Sequence, residues 1–445
     1  MGRKARNVLD TRSAVCYNDY TVFRSMIILF YKVACNGRME LFMFDLSKHP
    51  YFTPYRDPKS GIVSYILTEK IAPLQRHFYF AQPSMTADGK YLWFLCFNPP
   101  AKYMTLGVVS LDPENPFIKS FPYAAPQGGS PCITPEGDGV YFGVDNAVYK
   151  LDLDGNLTRV ITVGSEITHA RPIDRLFTHA SISADGKYIA MDMKIADHVY
   201  MSIGNLSTGE IKLLNKYGRE YNHAMFSPTD PNLILLDQDW WRDRNSGEYF
   251  PIDNRMWLIN TDATRFEPVV PSMFYGRDGT EMAHDYFSGD GYVCWSDYLC
   301  GAYECDLETR TPLRVWKRPI IHSHCSKHRE YFVGDYTPYS WKTKGCSVIF
   351  YDRMTNKEID IFSNMPYPEI WADRYYHVDP HPQFCTEDTF IVCEASVIGA
   401  EPAIAITPVA EALNACRERG EQVIPHCATS NKTSGWRKEI QGFAF

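Results

Sequence analysis

The feature that most limits what this chain can fold into is a unit that recurs along most of its length. A Ser/Thr-x-Asp-Gly type turn precedes an aromatic or β-branched run, and a second run then ends in a hydrophobic-x-Asp-Leu type turn. The first half occurs as "PSMTADGKYLWFLCF" (83–97), "PCITPEGDGVYFGV" (131–144), "ASISADGKYIAMDM" (180–193) and "AMFSPTDPNLILLD" (224–237). It returns as "DYFSGDGYVCWSD" (285–297), "HCSKHREYFVGDY" (324–336) and "PQFCTEDTFIVCEAS" (382–396). The second half follows in step, from "LGVVSLDPEN" (106–115) through "AVYKLDLDGN" (147–156) to "AIAITPVAEA" (403–412). Each first half reads as a hairpin, because its turn residues tolerate unusual backbone angles and its flanks suit a pleated strand.

Units spaced by roughly 45–60 residues have room for four strands each. Four-stranded units that bury their faces against one another form a β-propeller, and seven units predict seven blades. The expected fold is therefore all-β: a single seven-bladed β-propeller of four-stranded antiparallel blades over 51–445, with 1–50 as an N-terminal extension or extra strands. In that front part "ILFYKVACNGRMELFMFDLSK" (28–48) reads as another strand pair, while "PKSGIVSYILT" (58–68) is expected to pair with the last blade and close the ring. "PVAEALNACRERG" (408–420) is the main helix signal, stopped by Gly420.

Composition narrows the function. At 445 residues and 45% hydrophobic content the chain can bury a large core. A net charge of −8 gives no electrostatic reason to expect nucleic acid as partner. The 13 cysteines are scattered without CxxC pairs, which predicts reduced thiols in a cytoplasmic protein. The run "FRSMIILFYKVAC" (23–35) is interrupted by Lys32 and falls short of the ~20 apolar residues a membrane span needs, so no membrane partner is expected.

Loops at one end of a propeller converge on its central channel, so residues at matching points of successive units can meet there. His223 ("YNHAMFSP") precedes the hairpin of one unit and His284 ("EMAHDYFSGDG") that of the next. His322 or His324 ("IIHSHCSKH") does so in the following unit, and Asp379 with His381 ("YYHVDPHPQF") in the last. His324 and His328 read as surface or turn residues. Imidazole is a suitable base near neutral pH and a common metal ligand.

The blocks "NHAMFSPTDPN", "MAHDYFSGDG", "HSHCSKHREYFVGDY", "DPHPQFCTED" and "RHFYFAQPSMTADGKYLWF" (76–94) together resemble the oligogalacturonate lyase family, from residue 51 to the last blade. That resemblance implies a cytosolic seven-bladed propeller that splits acidic, uronic-acid-containing oligosaccharides by β-elimination with a bound divalent metal. Manganese is the first expectation, with calcium, magnesium or zinc as alternatives. Carried over by position, His223 falls on the histidine base, His284 on a metal-binding histidine and His322 on a further histidine. The family's Gln-x-x-His-Pro-His-Pro reads Tyr376-His377-Val378-Asp379-Pro380-His381-Pro382 here. His381 is kept, Asp379 stands for a histidine, Tyr376 stands for the glutamine, and His377 is placed to compensate.

A second departure concerns the family's catalytic arginine, whose position falls on His198 in "ADHVYMSIGNLSTGE". Imidazole does not reproduce a permanent bidentate guanidinium. Arg171, Arg175 and Arg242 are therefore the candidate cations for the substrate carboxylate, unless the substrate differs. His77 ("QRHFYF") reads as a substrate contact or a buried structural residue, and Trp241, beside Trp240, as a sugar-stacking or packing residue. Two other functions stay open: a non-catalytic propeller that binds ligands or partners, and a glycoside hydrolase, which needs two facing carboxylates.

Overall fold

The structure is a computed structural model that describes residues 44–126, 129–243, 245–273, 282–336, 345–368, 376 and 379–424. The strand-pair expectation for 28–48 falls mostly outside them. Of its described end, Leu46–Lys48 is a 3-10 turn whose first N–H groups are met by Asp45, with Ser47 N donating to Oδ1 at 3.2 Å.

The Ser/Thr-x-Asp-Gly signal works by one local device in three blades. Thr86, Ser183 and Ser288 each donate a hydroxyl to the Asp two residues on, at 2.6, 2.7 and 2.7 Å. The same hydroxyls accept the backbone N–H of Tyr91, Tyr188 and Tyr292 at 3.0–3.1 Å, which starts the next strand in register. Gly89, Gly186 and Gly291 close the turns at φ 77°, 72° and 89°, a region that costs glycine nothing.

These hairpins build seven antiparallel sheets, the blades of a propeller. The first runs Leu74–Arg76, Tyr91–Phe97, Tyr103–Ser110, Ile118–Pro126, and the next two follow the same four-strand order. The fourth is Tyr221–Phe226, Leu233–Gln238, Met256–Asn260, Phe266–Pro268, with a two-stranded hairpin, Trp241–Arg242 and Tyr249–Phe250, inserted between its second and third strands. The fifth begins with Met282–Phe287 and the sixth with Ser323–Cys325.

The seventh blade joins the two parts of the chain. Gln383–Cys385, Phe390–Ala395 and Ala403–Pro408 are followed outward by Val63–Leu67 and Phe52–Arg56. The register sets Tyr65 against Ile406 and Ile66 against Ala405, so the segment 58–68 closes the ring as its sequence predicts. Among the described residues a single helix of more than one turn, Val409–Arg419, ends at Gly420 and packs Ala412 and Cys416 among buried residues of the sixth blade. Beyond it Glu421–Gln422 adds to that blade's edge.

Middle strands are buried on both faces, as Leu233–Gln238 and Phe390–Ala395 are throughout, because each is sandwiched between neighbouring blades. Large aromatics fill the wedges: Trp316 of the fifth blade lies parallel to Tyr351 of the sixth, with ring centroids 5.2 Å apart. Among the described residues no helix is long and apolar enough to cross a membrane, and ten cysteines are free thiols.

Candidate metal centre and base

Histidines stand where the inner strands begin, and the backbone there is set by the strands themselves. In the fourth and fifth blades the ladder skips between Asn222 and Met225 and between Ala283 and Tyr286, a bulge that leaves His223 and His284 unpaired. Both take φ 54°, and His381 takes φ 41°. A left-handed residue with a Cβ costs about 1–3 kcal/mol, which a repeating strand start would avoid unless the redirected side chain were needed.

The rings converge. His284 and His322 have centroids 4.0 Å apart, and His322 and His381 another 4.0 Å. His322, Asp379 and His381 each offer one ligand atom, and these atoms all lie within 4.8 Å of one another. Each imidazole is held by Nδ1: His322 on Asp335 Oδ2 at 2.8 Å, His284 on the Ile321 carbonyl at 2.8 Å, His381 on the Asp379 carbonyl at 3.1 Å. Fixing Nδ1 in this way turns Nε2 toward the shared space, the arrangement of metal-binding histidines. Burial pushes His322 down to about 3 and His284 well below the usual imidazole range, so both are neutral and able to ligate near pH 7. Burial also pushes the Asp379 carboxyl up to about 7, with Asp335 and Glu394 acting in the same direction. Two imidazoles and a carboxylate suit a borderline or moderately hard divalent ion, and the fit is good.

His223 lies next along the ring. Its Nδ1 is 2.6 Å from Asn222 Oδ1 and 3.6 Å from Asp237 Oδ2. Burial lowers its pKa well below the usual range, helped by His179 and Arg255. With the proton held on Nδ1 toward Asn222, Nε2 carries the lone pair of a base.

The other expected residues are spread more widely. His77 is buried, with Nδ1 2.5 Å from Glu394 Oε1 and Nε2 2.8 Å from the His381 carbonyl, so it braces the centre from beneath. Arg175 is engaged by the protein: it donates to Glu220 at 2.6 Å, to the Asp192 carbonyl at 3.1 Å and to the Tyr221 carbonyl at 3.0 Å, two residues before His223. Arg171 lies in an exposed loop after the turn Ser165–Thr168. His198 opens the strand His198–Asn205 opposite Ile195, and among the described residues it makes no hydrogen bond or ring contact with the histidine group. Trp241 packs its ring 5.0 Å from Phe250, and Arg242 is exposed on the same hairpin. His377 lies outside the described residues. His324, expected at the surface, instead stacks on buried Tyr286 at 5.1 Å.

Three things escaped the sequence reading. His179, one residue before "ASISADGK", occupies the repeat position of His223 and joins the group, its ring 4.7 Å from His223 and stacked on Tyr79 at 4.4 Å. Tyr79 and Phe80 come from a segment interrupting the first blade's inner strand; Tyr79 also lies 5.3 Å from His381, and Phe80 5.9 Å from His322. The third is a row of buried acids at one register of the second strands: Asp192, Asp237, Asp335 and Glu394. Their signal was visible, since "IAMD", "ILLD", "FVGD" and "IVCE" each place an acid at the end of an apolar run.

The carboxyl pair nearest His223 is Asp237 and Asp285. Burial raises Asp237 well above the carboxylate range, against Arg255, and the negative charge of Asp285 raises it further. One guanidinium engages both carboxyls: Arg255 donates Nη2 to Asp237 Oδ2 at 2.7 Å and Nε to Asp285 Oδ1 at 3.5 Å.

No protein-family model matches the sequence, and no curated protein matches it. Solved structures do. An oligogalacturonate lyase in complex with manganese superposes with a TM-score of 0.65 at 19% identity, covering 80% of this chain and 96% of its own. The oligogalacturonate lyase of Vibrio parahaemolyticus gives a TM-score of 0.65 at 17% identity, with the same coverage of 80% and 96%. The chain is thus similar in fold to the oligogalacturonate lyases, as a seven-bladed propeller whose sequence is 17–19% identical to theirs.

Proposed function

We propose that this protein is a divalent-metal-dependent lyase that cleaves short uronic-acid-containing oligosaccharides by β-elimination, with His223 as the base. The observation that carries the reading is the meeting of His223, His284, His322, Asp379 and His381, from four consecutive blades, around one end of the channel with their imidazoles anchored through Nδ1.

The chemistry asks for this arrangement. The C5–H of a uronate is acidic only once the adjacent carboxylate is neutralised. A divalent ion held by His322, Asp379 and His381, with His284 beside them, supplies that neutralisation when bound. His223 Nε2 takes the C5 proton, the electron pair forms the C4–C5 double bond, and the C4–O4 bond breaks as O4 takes up a proton. Asn222 keeps the His223 tautomer in place, and burial keeps the ring neutral before the step. Positioned proton abstraction of this kind is worth ~10²–10⁴-fold. Manganese, held by one of the similar lyases, is the first metal to test, before calcium, magnesium and zinc. The free thiols fit a reducing compartment such as the cytosol.

The test uses chelator-treated protein with oligogalacturonate and other oligouronides. Adding manganese should generate the ultraviolet absorbance of the C4–C5 double bond conjugated to the carboxyl group, and His223→Ala should abolish it. New reducing ends without absorbance would overturn elimination in favour of hydrolysis. Binding without turnover of any uronide would leave a non-catalytic propeller.

A further inference from the structure

The hairpin inserted into the fourth blade has two unlike faces. Its register sets Trp241 against Phe250 and Arg242 against Tyr249. Directly opposed residues share a face, and residues two apart along a strand share it too. Trp240, Arg242 and Tyr249 therefore lie on one side, and Trp241 and Phe250 on the other. Exposure follows the same division: Trp240 is 37% and Tyr249 50% exposed, whereas Trp241 and Phe250 are half-buried. Trp240 and Tyr249 stack at 5.3 Å with planes 24° apart, the one contacting ring pair among the described large exposed hydrophobics. Arg242 is exposed, bonds only the Gly247 carbonyl at 3.3 Å through Nε, and has no ion pair among the described residues.

The hairpin is rooted beside the base. Asn222, which holds His223, donates to Asp239 Oδ2 at 3.2 Å, and Asp239 Oδ1 accepts the Trp240 backbone N–H at 2.8 Å. The outward face thus begins one residue from a side chain that touches the His223 support.

We propose that Trp240, Tyr249 and Arg242 form a second sugar subsite that binds an acidic pyranose of the same oligosaccharide, remote from the bond cleaved. A pyranose presents a face of axial C–H groups that stacks on aromatic rings, and exposed aromatics are costly to leave facing water without such a partner. A guanidinium beside them pairs with a carboxylate in bidentate fashion, which selects a uronate over a neutral sugar. The proposal rests on the oligouronide reading and deepens it: the enzyme prefers chains long enough to reach the hairpin.

The experiment compares an oligouronide series from dimer to hexamer on wild type, Trp240→Ala, Tyr249→Ala and Arg242→Gln. Binding is measured by calorimetry on chelator-treated protein, and turnover by absorbance with metal restored. The expected result for Trp240→Ala and Tyr249→Ala is an affinity loss of about tenfold for the longer chains, with dimer binding and kcat unchanged. Arg242→Gln should also narrow the preference for uronides over neutral oligosaccharides of equal length. Unchanged affinity at every length overturns the subsite, and so does equal weakening of dimer and hexamer, which would place the effect at the histidines. If the lyase reading alone fails, wild type shows no absorbance while the length-dependent binding loss persists.

Discussion

Asp335 Oδ2 lies 2.8 Å from Nδ1 of His322 while its Oδ1 accepts the His322 backbone N–H at 3.0 Å, so one buried carboxylate fixes both the ring and the chain of a candidate ligand. It also accepts the His381 N–H at 3.2 Å. Asp335→Asn should therefore weaken metal binding by about 10–100-fold while the protein stays folded. Competition with a chromogenic chelator measures it. An unchanged affinity would remove His322 from the ligand set. Asp335→Ala goes further, since each buried donor it strands costs about 1–3 kcal/mol, and it should lower the melting temperature of the metal-free protein as well.

The ring of His179 meets those of Tyr79 and His223, which puts it beside the proposed base. His179→Ala should keep the metal content of the wild type and lower kcat by about ten- to a hundredfold, as a small displacement of His223 would. Elemental analysis alongside turnover separates the two effects. Loss of metal in this variant would contradict the placement.

Trp316 joins two blades, with its ring parallel to Tyr351 and Nε1 donating to Glu358 Oε2 at 2.8 Å. Truncating a buried aromatic of this size costs about 3–5 kcal/mol. Trp316→Ala should lower the unfolding free energy by that amount, read as a lower urea midpoint at an unchanged slope, provided that the ring unfolds as a unit. A biphasic curve would show blades unfolding separately.

The fold was legible because the Ser/Thr-x-Asp-Gly turn acts locally: the hydroxyl of Ser183 and the φ of Gly186 do the same work wherever the motif falls. The histidine positions followed from the repeat, which transfers register from blade to blade, and His179 was readable by the same rule. Arg175 was not legible as a structural residue, because the Glu220 and Asp192 that engage it come from other strands and no spacing announces the pairing. Which of Trp240 and Trp241 faces solvent depends on the hairpin register, set by Tyr249 and Phe250 across a turn. His324 was misread because its burial depends on Tyr286, from the neighbouring blade.

Thiol reactivity follows from burial. Cys96, Cys132 and Cys385 are each pushed up to about 12, with burial as the main cause. The thiolate is the reactive form, so at pH 8 roughly one molecule in 10⁴ carries it at such a site. Iodoacetamide on native protein, read by peptide mass mapping, should leave these three unlabelled and modify half-buried Cys300 first among the described cysteines. Even at pH 9 the buried three should stay essentially unlabelled, since their thiolate fraction is then still only about 10⁻³. Rapid labelling of Cys132 at pH 8 would mean that the inner strand of the second blade opens in the native state.

Ring closure concentrates stability in a short segment. Val63–Leu67 is held to Ala403–Pro408 by the pairs Tyr65 with Ile406 and Ile66 with Ala405, and by Ser64 Oγ 2.7 Å from Thr407 Oγ1. Just before it, buried Asp57 accepts the Ser363 N–H at 2.7 Å and so ties the closing segment to the sixth blade. Ile66 is 0% exposed, and Ile66→Asp would bury an unpaired carboxylate there. Its effect should exceed that of the same change at Ile404, also buried but within a continuous run of the chain, because a failed closure frees the first blade as well as the last. Denaturation of the two variants side by side decides the matter. A smaller loss for Ile66→Asp would show that the ring holds without its N-terminal strand.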